Sequence, residues 1–196
     1  MVLNDRQIIE AVCRGELLVP MKPVMTGADY VEYSMKLREK GQIQPASVDV
    51  TLGSSFVEIA EHTGGVNTMN SKILYNEIYP VEGRVTIQPC SFLLATTQEY
   101  LSIPDDVTCF VEGRSSIGRM GLFVQNAGWV DPGFRGEITL ELFNASKVPI
   151  QLEVGRRIAQ LVFVKMSDPC RLPYQGKYQR QSGATPSRIY LDEESK

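Results

Sequence analysis

The sequence predicts a mainly β fold, an antiparallel sandwich or barrel that carries one or two short helices. From residue 46 onward, short runs of β-branched and aromatic residues alternate with clusters of Gly, Pro, Asn and Asp. Such residues either pack on a pleated surface or reverse the chain, which is typical of many short strands joined by tight turns. Before residue 46, apolar and charged side chains recur at helical spacing instead. The 196 residues suit a single domain, residues 1–196, that can bury a core of its own.

The N-terminal segment predicts a first helix that ends before Gly15. Asn4 can accept amide hydrogen bonds that the first helical turn leaves unpaired. Leu3 lies where a residue before the cap can pack on Ile8, one turn into the helix. The helix is therefore expected to run from Asn4 to about Arg14.

The remaining elements follow from the same periodicities. Residues 28–40 predict a second helix, which we interpret as a decoration of the surface. The predicted strands are the runs 47–52, 56–59, 85–87, 92–96, 107–112, 137–143, 150–154 and 158–164. Residues 174–196 are polar and interrupted by Gly, Pro and Ser, so we expect a mobile tail unless a ligand or a neighbouring chain orders it.

Composition argues against several classes of protein. The net charge of -3 and the pI near 5.3 provide no basic footprint for nucleic acid. No apolar run approaches the roughly 18 residues of a membrane span, and the N-terminus lacks the basic-then-apolar order of a signal peptide. We therefore expect a cytoplasmic protein with neither membrane nor nucleic-acid partners. The 4 cysteines form no CxxC pair, which favours free buried thiols.

A serine-rich turn between two arginines is the first candidate site. A predicted strand ends at Gly113, and Ser115 and Ser116 then lie between Arg114 and Arg119. Freed backbone amides, hydroxyls and guanidinium groups are the donors that phosphate oxygens require. The same pattern also occurs in ordinary surface turns, and these residues alone leave both interpretations open.

The second candidate site is a turn together with the strand that follows it. Asp131 opens a turn marked by a Pro-Gly pair, and Glu137, Thr139 and Glu141 then share one face of an alternating strand. Either acid could face water, and this is our interpretation of Glu137. Large apolar residues flank Glu141, which favours partial burial. A carboxylate in that setting is a candidate general base with a raised pKa.

These stretches resemble the signature of the dCTP deaminase and dUTPase superfamily. The resemblance rests on residues 113–119 and 128–144, and it extends to residues 44–53, 155–161 and 174–183. Several linked motifs in one order cover most of the chain. Residues 23–41 are the least similar part, and we take them as a helical insertion.

The resemblance is closest to the deaminase branch. Members of that branch carry a Glu on the strand after the Asp turn, as at Glu141, whereas simple dUTPases lack it and usually have Tyr where this chain has Phe134. Gly128, Trp129 and Gln160 match the bifunctional members, which form dUMP. Three alternatives stay open: a deaminase that releases dUTP, a dUTP diphosphatase, and a non-catalytic nucleotide-binding trimer.

The resemblance implies a fold and a reaction. The fold is a dUTPase-like distorted antiparallel β-barrel or jelly roll, a homotrimer with its sites at subunit interfaces. The reaction is deamination of dCTP at C4 of cytosine, followed by diphosphate cleavage of dUTP to dUMP for thymidylate synthesis. Residues 174–196 are expected to form a lid over the nucleotide. Whether dTTP is an inhibitor stays open.

The resemblance also implies roles for individual residues. The catalytic set is Glu141, Ser115, Arg119 and Asp131. The substrate-binding set is Arg114, Ser116, Ile117, Gly118, Asp131, Phe134, Thr139, Leu140, Gln160, Tyr174, Lys177 and Gln181. Glu141 is expected to activate the attacking water, and Asp131 to bind the 3′-hydroxyl of the sugar and serve the diphosphate cleavage.

The sequence lacks the motifs of the zinc-dependent deaminases. Its one histidine, His62, is not part of an H-x-E, and there is no P-C-x-x-C. We therefore expect no zinc and no metal ligand from protein side chains. Mg²⁺ is expected to arrive with the triphosphate, which carries it together with bound waters.

Overall fold

Antiparallel strands are the dominant regular element of the structure, which confirms the predicted mainly β class. The computed structural model describes residues 1–20, 25–61, 65–125 and 128–192. Within these ranges the strands are β1 Leu17–Val19, β2 Ile43–Gln44, β3 Ser47–Ile59, β4 Tyr75–Ile78, β5 Arg84–Ile87, β6 Phe92–Ser102, β7 Val107–Gly113, β8 Leu122–Gln125, β9 Trp129–Val130, β10 Arg135–Asn144, β11 Ile150–Glu153 and β12 Arg157–Lys165.

Both predicted helices are present, each within a residue of its expected ends. The helices are α1 Asp5–Cys13, α2 Gly27–Glu39, the single turn α3 Ser115–Gly118 and a 3-10 helix Ile189–Leu191. Asn4 caps α1, because its side chain accepts from the Gln7 amide at 3.0 Å while the Gln7 side chain accepts from the Asn4 amide at 3.1 Å. The short turn α3 was not predicted. In the described ranges, no helix is both long and apolar enough to cross a membrane.

One antiparallel sheet of ten strands carries the candidate residues. Its main path runs β8, β10, β6, β3, β12, β7 and β9, with β1 beside β6 and with β2 and β4 beside β3. Strands β5 and β11 form a separate pair. Because β10 lies between β8 and β6, its side chains belong to the interior of the sheet rather than to an edge. The pairing of β10 with β6 shifts register between Glu137 and Thr139.

A continuous apolar core lies behind this sheet. Leu140 and Leu142 of β10 are fully buried, as are Phe163 of β12 and Ile8 of α1. Leu3 is buried in the same core as Ile8, as expected for the residue that precedes the helix cap. Burial of one face of β10 leaves its opposite face available for a site.

The structure corrects several details of the sequence reading. The runs 47–52 and 56–59 form one strand, β3, whose register against β6 shifts between Leu52 and Phe56. Strands β1, β2, β4, β8 and β9 were missed; each has only two to four residues, and runs this short carry a weak periodic signal, although β5 and β11, with four residues each, were predicted. All four cysteines are free, as expected, but only Cys109 is buried: Cys13 and Cys170 are partly exposed, and Cys90 is exposed in the turn before β6. His62 lies in residues 62–64, outside the described ranges.

Candidate active site

Strand β10 presents the predicted acidic face. Burial alternates along it, so that Glu137, Thr139 and Glu141 lie on the accessible side while Leu140 is fully buried on the other. The predicted alternation is therefore confirmed. The side chain of Leu140 belongs to the core and not to the surface of the site.

The accessible side of β10 forms one wall of a cavity of about 520 Å³. Six of the predicted residues line this cavity: Asp131, Phe134, Thr139, Glu141, Tyr174 and Gln181. They come from the turn before β10, from β10 itself and from the C-terminal segment, residues 174–192. The lining also includes apolar side chains of β3, β4 and β6, namely Ile59, Tyr75, Phe92 and Leu94. A largely apolar cavity with a few convergent polar groups is the usual form of a small-molecule site.

Glu141 is the carboxylate that suits proton transfer. It is half-buried, and burial raises its pKa above the ordinary glutamate value of 4.5, because removal from water disfavours the charged form. Its strand neighbours Leu140 and Leu142 are fully buried and hold β10 in place. A carboxylate with a raised pKa in a cavity can both accept a proton from water and return it.

Asp131 is held by its neighbour Trp129. The indole Nε1–H donates to Asp131 Oδ1 at 2.9 Å. The Trp129 ring packs edge-on against Phe110, with ring centroids 4.9 Å apart. From the sequence, Trp129 marked only the resemblance to the bifunctional members. Its position two residues before Asp131, on one side of an extended chain, was a signal for this contact.

Phe134 and Tyr174 connect the Asp131 turn to the C-terminal segment. Phe134 is buried, and its ring centroid lies 6.0 Å from that of Tyr174. The Tyr174 amide donates to the carbonyl of Pro132 at 2.8 Å, and the Tyr174 hydroxyl accepts from the Tyr178 amide at 3.2 Å. The first residue of the C-terminal segment, Tyr174, therefore packs directly against the turn that carries Asp131.

The serine-rich turn lies elsewhere on the chain. Ser115, Ser116 and Arg119 belong to or follow α3 and are exposed, and Arg114 precedes it as the N-cap residue. Arg114 Nε pairs with the buried carboxylate of Asp49 at 3.2 Å. Burial raises the pKa of Asp49, an effect that the Arg114 and Arg157 guanidinium groups oppose.

The C-terminal segment places its predicted ligands differently from one another. Gln181 lines the cavity, and its Nε2 donates to the carbonyl of Glu137 at 2.8 Å. Lys177 forms an ion pair with Asp192 instead. Tyr178, Thr185 and Ser187 also line the cavity. Thr185 and Ser187 were missed, because their position depends on how the segment folds back and on no local pattern.

The predicted residues therefore form two groups in the described part of the chain. The six cavity residues form one group. The other residues do not line that cavity: Arg114, Ser115, Ser116, Ile117, Gly118, Arg119, Leu140, Gln160 and Lys177. Gln160 lies on β12 opposite Glu112 of β7. The expectation that Glu137 faces water is wrong, because its carboxylate accepts a 2.6 Å hydrogen bond from the Gly183 amide.

Comparison with known proteins gives one consistent family. A family model described as dCTP deaminase-like matches residues 28–166, a range that begins within α2 and ends just after β12. A protein of Persephonella marina named "dCTP deaminase, dUMP-forming" is 47% identical over 199 aligned residues, which cover 99% of this chain and 100% of that protein. Proteins of the same name from Sulfurihydrogenibium sp. and Aquifex aeolicus are 46% identical and cover 98% and 100% of this chain, and 99% of each relative.

One solved structure shows the same fold. The crystal structure of 2′-deoxycytidine 5′-triphosphate deaminase from Agrobacterium tumefaciens matches with a TM-score of 0.59 and 22% identity. The match covers 83% of this chain but 47% of the other, so this chain spans about half the length of that protein. At this identity the likeness concerns the fold alone.

Proposed function

Because the chain belongs to the dCTP deaminase-like family, we propose that it deaminates dCTP at C4 of cytosine and cleaves the resulting dUTP to dUMP and diphosphate. The overall reaction converts dCTP and two waters to dUMP, ammonia and diphosphate. The observation that carries the proposal is the half-buried Glu141 in the same cavity as Asp131. The relatives that match the full length of this chain are named "dCTP deaminase, dUMP-forming". Two carboxylates in unlike surroundings suit two successive hydrolyses.

Glu141 is proposed as the general base and acid of deamination. It takes a proton from the water that attacks C4 and passes a proton to the departing ammonia, so that one carboxylate serves both halves of the step. Its half-burial supports this role, because a raised pKa makes both transfers easier near neutral pH. Ser115 orients the water, and Arg119 stabilises the charge that develops.

Asp131 is proposed to serve the sugar and the diphosphate cleavage. One carboxylate oxygen, Oδ1, is held by Trp129, which leaves Oδ2 to accept from the 3′-hydroxyl or from the second attacking water. Phe134 lies buried beside this turn, where its ring can pack on the deoxyribose and disfavour a 2′-hydroxyl. Thr139 and Gln181 contribute further polar groups to the cavity lining.

A homotrimer with sites between subunits would bring Ser115 and Arg119 to the cavity. Ser115 and Arg119 are exposed beside α3 and do not line the cavity of their own chain within the described ranges. The nearby Met120 and Phe123 are exposed by 55% and 52%, which leaves apolar surface for a neighbouring subunit to cover. A cyclic head-to-tail contact would bring α3 of one subunit to the cavity of the next.

The triphosphate is proposed to bring its own Mg²⁺. The described residues contain no group of three or more His, Cys, Asp or Glu side chains that could hold a metal ion. Phosphate oxygens and water fit this ion better than a protein cage does, and when bound it neutralises phosphate charge. Arg114, Ser116 and Lys177 would bind the phosphates, with Lys177 exchanging its partner Asp192 for a phosphate oxygen.

A four-way assay tests the proposal. Glu141→Gln and Asp131→Asn, with the unaltered protein as control, are each given dCTP and dUTP with Mg²⁺, and ammonia and diphosphate are measured separately. Glu141→Gln should lower ammonia release by roughly 10²- to 10⁴-fold, because the general base is lost. Asp131→Asn should lower diphosphate release instead. Normal deamination by Glu141→Gln contradicts the proposal. Accumulation of dUTP by the unaltered protein would identify a deaminase-only enzyme.

A further inference from the structure

The carboxylate of Glu137 lies on the same face of β10 as Glu141, yet the chemistry proposed above does not use it. Three donors converge on its Oε2: the Gly183 amide at 2.6 Å, the Thr96 hydroxyl at 3.2 Å and the Ser182 hydroxyl at 3.4 Å. An ionised carboxylate can accept several hydrogen bonds at once and needs no donor of its own. Two of these donors belong to the C-terminal segment, so Glu137 joins that segment to the sheet.

The backbone at Glu137 makes the same connection. The register shift between Glu137 and Thr139 interrupts the pairing of β10 with β6. The Glu137 amide donates to the carbonyl of Gln181 at 3.0 Å, and the Gln181 side chain donates back to the carbonyl of Glu137 at 2.8 Å. Gly136 and Gln181 form an isolated parallel bridge. β6 has the extra residues at this shift, and where its pairing with β10 is interrupted the C-terminal segment provides Gly136 and Glu137 with a short strand-like partner.

Two glycines allow this close approach. A Cβ added at Gly136, where φ is +147°, would lie 2.9 Å from the carbonyl oxygen of Gln181. Gly183 has a φ of +69°, and a Cβ there would lie 2.9 Å from Ser55 Oγ. Ser55 Oγ in turn accepts from the Ala184 amide at 2.9 Å. Side chains at either glycine would push the segment away from the sheet.

We propose that Glu137 is a positioning residue that latches residues 181–185 over the cavity and thereby sets where Gln181 meets the nucleotide. The latch consists of the Glu137 carboxylate, the Gly183 amide and the Gln181 backbone, and it closes one wall that Gln181 and Thr185 contribute. Thr139 extends it, because its hydroxyl accepts from the Thr185 amide at 3.0 Å. The role in nucleotide binding rests on the proposed function, whereas the latch itself does not.

The latch is tested without nucleotide by limited trypsin digestion. Lys177, Arg180 and Arg188 are cleavage sites inside the C-terminal segment. Cleavage there requires local opening, so its rate follows the population of the open form. Glu137→Ala should speed cleavage at these sites by roughly 10- to 100-fold, as expected for loss of a hydrogen-bonded charge. Glu137→Gln should lie between Glu137→Ala and the unaltered protein. Glu39→Ala, at the exposed end of α2, is the matched control and should change nothing.

A second variant approaches the latch from the other side. Gly183→Ala leaves the sheet unaltered, so it should speed cleavage even if Glu137→Ala lowers the stability of the whole protein. The double variant should be cut no faster than the faster single one, because both changes open the same contact. Cleavage of Glu137→Ala and Gly183→Ala at the unaltered rate overturns the proposal.

Kinetics with dCTP then separates the latch from the proposed function. Glu137→Ala should raise KM for dCTP by about tenfold and change kcat by less than about threefold, because saturating nucleotide closes the segment again. Fast tryptic cleavage of Glu137→Ala, together with no turnover of dCTP by the unaltered protein, would refute the proposed function and leave the latch intact. Fast tryptic cleavage of Glu137→Ala with an unchanged KM for dCTP would overturn the positioning role. Equal losses of kcat in Glu137→Ala and Glu137→Gln would overturn it as well.

Discussion

Trp129→Phe should separate the two reactions by altering a single hydrogen bond. The indole Nε1–H donates to Asp131 Oδ1 at 2.9 Å, and phenylalanine keeps an aromatic ring in that place without the donor. The ring packs edge-on against Phe110 at 4.9 Å, so we expect β9 to keep its position. The substitution therefore frees the Asp131 carboxylate to rotate while Glu141 is unaffected.

The size of the effect follows from the setting of this bond. A hydrogen bond to a charged acceptor contributes most when it is buried, but Trp129 is 52% exposed. We therefore take the low end, about 1 kcal/mol, which corresponds to roughly a fivefold change in rate. Diphosphate release from dUTP should fall by about that factor. Ammonia release from dCTP should stay within about twofold of the unaltered protein.

The assay measures both products in a double-mutant cycle. Trp129→Phe, Asp131→Asn and the double variant are compared with the unaltered protein on dCTP and on dUTP. If Trp129 acts through Asp131, its substitution should have no further effect once Asp131 is asparagine. Equal losses of ammonia and diphosphate release would refute the reasoning, because they would show that Trp129 supports the whole cavity and not the Asp131 carboxylate.

Two further predictions concern pH and metal. Glu141 must be ionised to accept a proton, so kcat/KM for ammonia release should fall as pH drops through its pKa, which burial places above the ordinary 4.5. Diphosphate release from dUTP is the control, because dUTP carries the same titrating triphosphate but does not require Glu141. Its pH profile should lack this acid limb, and the same limb in both reactions would argue against Glu141 as the specific base. A zinc-selective chelator should leave ammonia release unchanged, and the purified protein should contain no stoichiometric zinc, since the sequence has neither H-x-E nor CxxC. Loss of activity that added zinc restores would contradict this.

Local chemistry explains what could be predicted of the fold. The cap at Asn4 and the stop at Gly15 define α1 within one residue, because helix ends depend on hydrogen bonds to near neighbours. Alternation along β10 placed Glu141 on the accessible face for a similar reason, since successive side chains of a strand point to opposite sides. Strands of two residues, such as β2 and β9, have no comparable signal and were missed.

The candidate site could be predicted only in part. The turn at Asp131 and the face of Glu141 follow from sequence, and the structure places both in one cavity. The roles of Ser115 and Arg119 remain predictions that depend on a neighbouring subunit, because α3 does not line the cavity of its own chain in the described ranges. A site completed by a second chain would leave no local pattern in the sequence.

The sequence by itself determined which residues share a face, where the first helix begins and ends, and which family the motifs resemble. Tertiary structure alone decided what each face meets. Glu137 follows the same alternation as Glu141, yet it meets the Gly183 amide 46 residues later instead of water. Arg114 is drawn to the buried Asp49, and Lys177 to Asp192. Periodicity is a property of neighbouring residues, whereas these partners lie far apart along the chain and meet only once it has folded.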